Sequence, residues 1–295
     1  MLRGEDLAEL PMLEEIVKIF AKKEGAMNKT SEVQNLLQAM WVDYCDLNPS
    51  ARRIFELFTE QGEQVLNDHI ALRTFNHPRL GLKSLARVFE QYGYQAKDEY
   101  FFKEKKLYAR HWEHADPNLP KIFISELELE KVSPFIRETM ISLIEKIPQS
   151  SIDSERFSMS GRPWDMSHQL YSKLAEESEY ASWVAAFGFR PNHFTVNVNA
   201  LKKFNDLPTL NRFVESKGYQ LNRSGGEIKG TPAQFLEQSS TMAKEIPVRF
   251  SDGSFEIPGC YYEFAKRYKL PNGKLYQGFV ATSADKIFES TNRLK

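Results

Sequence analysis

Apolar residues recur at helical spacing through residues 7–61. Leu10, Leu13, Ile16, Val17 and Phe20 share one face, as do Val33, Leu36, Leu37, Met40 and Trp41, with Ser31 placed to cap the second run. Residues 51–61 read as a third helix, with Gly62 as its stop signal. At Asp68 the period changes. Ile70 and Leu72 alternate with Ala71 and Arg73, the pattern of a strand with two faces. Pro78 and Gly81 punctuate the connection, and Leu82, Leu85, Val88 and Phe89 predict an amphipathic helix ending at Gly93. Short strand-like runs follow at residues 100–102, 107–112 and 122–128.

Residues 131–147 read as a helix interrupted at Pro134, residues 148–160 as a serine-rich linker or surface loop, and residues 164–187 as one helix entered at Pro163. A strand at 193–199 and a helix at 209–217 come next. After a Gly225-Gly226 turn there are strand-like runs at 235–242 and 247–250. The aromatic run 260–267 is β-prone, and residues 284–290 close the chain as a helix.

Two stretches of this pattern are copies of one another. The first opens Asp68-His69-Ile70-Ala71-Leu72-Arg73-Thr74-Phe75 and runs on to Gly93-Tyr94-Gln95; the second opens Asn192-His193-Phe194-Thr195-Val196-Asn197 and runs on to Gly218-Tyr219-Gln220. The spacing from histidine to glycine is nearly equal in the two. The expected fold is α+β: two pseudo-symmetric βαβββ modules forming a curved sheet or barrel, with added helices. The expected division is a helical segment at 1–65, a first module at 66–130, a helical connection at 131–190, and a second module with closing helix at 191–295.

Composition narrows the function classes. The 295 residues suffice for a sizeable core, and 41% hydrophobic with 27% charged residues is globular usage. A net charge of −1 offers no field for nucleic acid or an anionic membrane, and no apolar run is long enough to span a bilayer. The start of the chain lacks the pattern of a signal peptide, and two cysteines make no disulfide framework. A cytoplasmic location is expected.

Equivalent positions in a twofold repeat can meet at one site, so His69 and His193 are the natural pair of metal-binding imidazoles. Two neutral imidazoles and one carboxylate leave coordination positions open on one side, as in the iron(II) oxygenases. Glu263 is the preferred carboxylate, because an acid between Tyr262 and Phe264 is costly to bury without a cation. Glu256 competes with it. A His111/His114 pair is the weakest alternative, because i, i+3 on a strand end points the two side chains apart. His77 and His168 read as surface or supporting residues. The ligand set alone also suits manganese, nickel or zinc.

At these residues the chain resembles a family formerly a domain of unknown function and now associated with 2-oxoadipate dioxygenase/decarboxylase, also called hydroxyglutarate synthase. The likeness rests on the two histidine segments and on Gly259-Cys260-Tyr261-Tyr262-Glu263-Phe264-Ala265. More distantly, Tyr261-Tyr262-Glu263-Phe264 through Arg267 is similar to the last ligand strand of the vicinal-oxygen-chelate dioxygenases. The resemblance implies Fe(II) at His69, His193 and Glu263, and a substrate carboxylate held by Arg73. It further implies Gln238 and Ser240 as hydrogen-bonding groups and Val280 in the pocket wall. His69, Ala71 and Arg73 share a strand face, and a guanidinium suits a carboxylate; by residue pattern alone Arg73 is a surface cation. The implied reaction converts 2-oxoadipate and oxygen to 2-hydroxyglutarate and carbon dioxide, a step of lysine catabolism. A different metal-dependent isomerase or lyase, or a binding protein that has kept the fold, remain the other readings.

Overall fold

The computed structural model describes residues 29–291. The expected helix around Leu10–Phe20 lies outside them. Helix α1 (Lys29–Leu47) contains Ser31 within it instead of capping on it. Helix α2 (Pro49–Glu60) begins earlier than its apolar pattern indicated, because the Asn48 side chain caps the Ala51 amide and Pro49 occupies the first turn, where no amide hydrogen is needed.

The first module consists of β1 (Asn67–Phe75), α3 (Leu82–Gln91), β2 (Gln95–Phe102), β3 (Leu107–Glu113) and β4 (Lys121–Leu127). Helix α4 (Pro134–Glu145) follows. Pro134 opens that helix and does not interrupt it, with Ser133 accepting from the Ile136 amide. The expected linker at 148–160 folds back into the core: it contains the short helix α5 (Gln149–Ile152) and a 3-10 turn, and buries Ile152 and Phe157. The expected single helix at 164–187 is two, α6 (His168–Glu177) and α7 (Glu179–Phe187). Ser178 leaves helical geometry between them and caps the Ala181 amide. Gly188 ends α7 at φ +70°, where a Cβ would collide with the Gly161 carbonyl.

The second module runs β5 (Pro191–Asn197), α8 (Leu207–Ser216), β6 (Lys229–Thr231) and β7 (Leu236–Ser240). A hairpin, β8 (Glu245–Phe250) with β9 (Gly253–Pro258), then precedes β10 (Tyr261–Arg267). Among the described residues the hairpin pairs only with itself, so the run at 247–250 is not part of the main sheet. Helix α9 (Ala281–Ile287) and a 3-10 turn (Phe288–Thr291) close the described chain.

The eight remaining strands form one curled sheet in the order β2-β3-β4-β1-β5-β10-β7-β6. β1 lies parallel to β4 and β5 parallel to β10, and the two halves join antiparallel at β1–β5. The expected pair of βαβββ modules is therefore present, with the β8–β9 hairpin spliced into the second. Side chains alternate across the sheet. Phe194, Tyr262 and Phe264 turn toward α1 and α2, where Trp41 lies 5.1 Å from Phe194, Trp41 5.8 Å from Tyr262, and Phe58 6.3 Å from Phe264. Each such ring, fully buried, contributes about 1.5–3 kcal/mol. The intervening residues face the other way, into the curl of the sheet, and that face carries the chemistry.

Candidate metal centre

β1, β5 and β10 are adjacent, and their register puts His69 opposite Thr195 and Thr195 opposite Glu263. His193 stands two residues before Thr195 on the same face. One nitrogen or oxygen from each of His69, His193 and Glu263 lies within 4.8 Å of the other two, and all three residues are buried. No other such group of three occurs among the described residues. Glu256 is exposed on the separate hairpin. His111 has both ring nitrogens engaged, by Tyr100 and Glu113, while His114 accepts from the Asp116 amide. Those alternatives therefore do not form a ligand set.

Hydrogen bonds fix how the two imidazoles face. His69 Nδ1 meets Asp68 Oδ1 at 2.8 Å, and His193 Nδ1 meets Asn192 Oδ1 at 3.1 Å. Both acceptors require the proton on Nδ1, so in the neutral form of each ring the lone pair is on Nε2. Those lone pairs point at a carboxylate: His69 Nε2 is 3.6 Å from Glu263 Oε1 and His193 Nε2 is 3.1 Å from Glu263 Oε2. Thr195 Oγ1 is 3.1 Å from His69 Nε2. Gln238 Nε2 donates to Glu263 Oε1 at 2.6 Å, while Glu263 Oε2 is a buried oxygen without a hydrogen-bond partner among the described residues. Lone pairs facing an anion in a dry site repel unless a cation lies between them, so this donor set fits a divalent metal.

The electrostatics agree. Burial lowers the His193 pKa, only partly opposed by Glu263, which favours the neutral, ligating form. Burial alone would raise the Glu263 carboxyl; positive charge on the imidazoles of His69 and His193, when they carry a second proton, and the Gln238 hydrogen bond outweigh it and pull the group below its ordinary value, as a bound cation would. Asp68 is likewise opposed by burial, yet Arg267 and His69 keep it well below the usual carboxylate range. Arg267 grips Asp68 with two nitrogens, at 2.6 and 2.8 Å, and donates onward to the carbonyls of Tyr276 and Gly278. A carboxylate behind a metal-ligating histidine orients the ring and raises its basicity.

Arg73 is not a surface cation. It is 1% exposed, with Nη1 2.8 Å from Glu179 Oε1 and Nη2 3.4 Å from Thr291 Oγ1, and its guanidinium lies over the rings of Tyr180 and Trp183. Its Nε has no partner among the described residues. Gln238 reaches the centre directly. Ser240 turns to Ser290 Oγ at 2.8 Å and ties down the closing segment. Val280 caps α9, half-buried, while its neighbour Phe279 packs its ring 4.8 Å from His69. Lys229, across from Gln238, spends its ammonium on the backbone carbonyls of Asn222 and Glu227.

The repeat gives this centre three ligands and not four, because the first module has no counterpart of Glu263. Ala71 pairs with Phe123 as Thr195 pairs with Glu263, so Phe123 stands where the first module would need its carboxylate. Phe279 covers it, ring centroids 4.8 Å apart.

The family model for 2-oxoadipate dioxygenase/decarboxylase matches residues 23–156 and 154–275. The chain belongs to the 2-oxoadipate dioxygenase/decarboxylase family. A relative of that name from Arabidopsis thaliana, a chloroplastic protein, is 37% identical over 88% of this chain and 77% of its own length. The crystal structure of the Oryza sativa hydroxyglutarate synthase in complex with 2-oxoadipate superposes with a TM-score of 0.85 at 32% identity, covering 92% of this chain and 98% of that one. A glyoxalase-superfamily protein from Ralstonia eutropha, 19% identical with a TM-score of 0.71 over 88% and 89% of the two chains, shares the fold. No helix among the described residues is long and apolar enough to cross a membrane.

Asp68, Asn192, Arg267, Glu179 and Phe279 are site residues to which the sequence assigned no role. For two of them a signal existed: Asp68 and Asn192 each immediately precede the repeated histidine.

Proposed function

We propose that this protein is an Fe(II)-dependent dioxygenase that converts 2-oxoadipate and oxygen to 2-hydroxyglutarate and carbon dioxide. The observation that carries the reading is the pair of imidazole lone pairs converging on Glu263, in a chain whose family relatives act on this 2-oxo acid. The reaction balances without an external reductant: both oxygen atoms end in 2-hydroxyglutarate, one in the new carboxylate and one in the hydroxyl. The carbon dioxide comes from the original carboxyl of the 2-oxo acid.

His69, His193 and Glu263 would hold the ion from one side. Iron supplies the binding and reduction of oxygen and the anchoring of the 2-oxo acid head. The chain's own residues set the geometry. Asp68 and Asn192 keep each ring turned with Nε2 inward, and Gln238 fixes the carboxylate. Arg73 anchors the distal carboxylate of the substrate through its unpartnered Nε–H, with Glu179 holding the other side of the guanidinium. Phe279 and Trp183 keep water out. Ser240 and Val280 act at one remove, Ser240 by securing the closing segment and Val280 by capping the helix behind Phe279.

Two buried free thiols, Cys45 and Cys260, suit a reducing compartment, and the cytoplasm is the location we propose. The functional test is an oxygen electrode. Protein loaded anaerobically with Fe(II) should consume oxygen on addition of 2-oxoadipate and release an equal amount of carbon dioxide. Absence of oxygen uptake with fully loaded protein would reject the assignment and favour an oxygen-independent isomerase or lyase.

A further inference from the structure

The strand register defines a path between the metal ligands and Arg73. On β1 the cavity face carries His69, Ala71 and Arg73 in turn, each step advancing about 6.6–6.8 Å. Ala71 is opposite His193, and His193 is opposite Tyr261. Tyr261 therefore stands level with Ala71, halfway between the ligand His69 and Arg73. Anything that reaches from the metal to Arg73 passes over Ala71, the smallest side chain on that face of β1, and beside Tyr261.

Tyr261 is fixed in that position. It is fully buried, and its ring stacks on His193 with centroids 4.5 Å apart at 26°. Its backbone carbonyl accepts from the Tyr44 hydroxyl of α1, which locks the strand from behind. Its own hydroxyl has no hydrogen-bond partner among the described residues, and neither do Arg73 Nε or Gln238 Oε1 on the same face. An unsatisfied buried hydroxyl costs about 1–3 kcal/mol, so a polar ligand is the natural partner. A phenol with a pKa near 10 is a donor at neutral pH.

We infer that Tyr261 is a substrate-binding residue whose hydroxyl donates a hydrogen bond to the distal carboxylate of the 2-oxo acid, sharing that group with Arg73. Tyr261 thereby selects for a second carboxylate on the chain, and Ala71 leaves room for the carbons between. The inference rests on the functional reading above. It differs from that reading in assigning recognition to a residue that neither binds the metal nor carries charge.

The adjacent Tyr262 supplies a matched control. Its hydroxyl is also buried and unpartnered among the described residues, but it lies on the opposite face, against Trp41. Tyr261→Phe and Tyr262→Phe remove the same atom from the two sides of one strand. Binding of 2-oxoadipate and of 2-oxohexanoate, which lacks the distal carboxylate, would be measured by calorimetry on metal-loaded protein without oxygen. The expected result is a roughly tenfold or greater loss of 2-oxoadipate affinity in Y261F. Affinity for 2-oxohexanoate, metal content and melting temperature should match wild type, and Y262F should bind both ligands as wild type does. Equal affinity of Y261F and wild type for 2-oxoadipate would overturn the assignment of Tyr261 alone, as would an equal loss for both ligands. Failure of wild type to bind 2-oxoadipate would overturn the functional reading, and this inference with it.

Discussion

Asp68 and Arg267 form a two-point ion pair, 2.6 and 2.8 Å, that ties the strand bearing His69 to the strand bearing Glu263. The same Asp68 holds His69 Nδ1, and the same Arg267 holds the carbonyls of the segment leading to Phe279. One buried pair thus sets the angle of an imidazole and the seating of the ring that covers it.

Asp68→Asn keeps the shape and removes the charge. Arg267 is then a buried cation without a counter-ion, a loss of roughly 3–5 kcal/mol of stability. Metal affinity should fall about 10–100-fold, because the ring loses its orienting carboxylate. Chemical denaturation and metal titration of the variant check the two effects separately.

Arg73→Lys keeps a positive charge beside Glu179 but replaces a planar fork with a point donor. Binding of 2-oxoadipate should weaken at least tenfold, with metal content unchanged. Loss of metal in this variant would place Arg73 in the ligand scaffold and not at the substrate.

Glu263→Gln replaces the anion that faces two lone pairs with an amide able to donate to one of them. Metal-free E263Q should therefore be as stable as metal-free wild type, or more so. Wild type should gain about 2.7 kcal/mol from metal at a hundredfold excess over its dissociation constant, and E263Q should gain almost none. Thermal melts with and without metal decide this.

The metal-free protein should lose stability in two stages on acidification. The folded His193 pKa lies below its ordinary value near 6.5, so its contribution is complete above that value and disappears as pH falls through the folded one. Glu263 and Asp68 have depressed carboxyl pKa values, so their contribution persists above the ordinary range near 4 and is lost as pH drops through the folded values. In melts across pH, His193→Gln should remove the upper stage and leave the Asp68 part of the lower one, which Arg267 and His69 sustain.

The parts of this site that were legible in the sequence are those that the repeat doubles. His69 and His193 stand out because two copies of one strand carry them, and Glu263 because an acid inside an aromatic strand is costly without a cation. Contacts between distant segments were not legible. Glu179 reaches Arg73 from a helix that the apolar pattern fused with its neighbour, because Ser178 breaks the helix without a proline or glycine to mark it. The run at 247–250 had the look of a sheet strand and gave no sign that, among the described residues, its hairpin pairs only with itself. Pro134 was ambiguous by nature: a proline stops a helix from inside and starts one from its first turn, and the Ser133 cap decides between the two.

The most direct test of the account is a crystal structure of the iron-loaded protein with an anomalous difference map at the iron edge. The prediction is a single peak about 2.0–2.2 Å from His69 Nε2, His193 Nε2 and a Glu263 oxygen. A peak at any other group of residues, or none at these three in protein with full iron content, would contradict it.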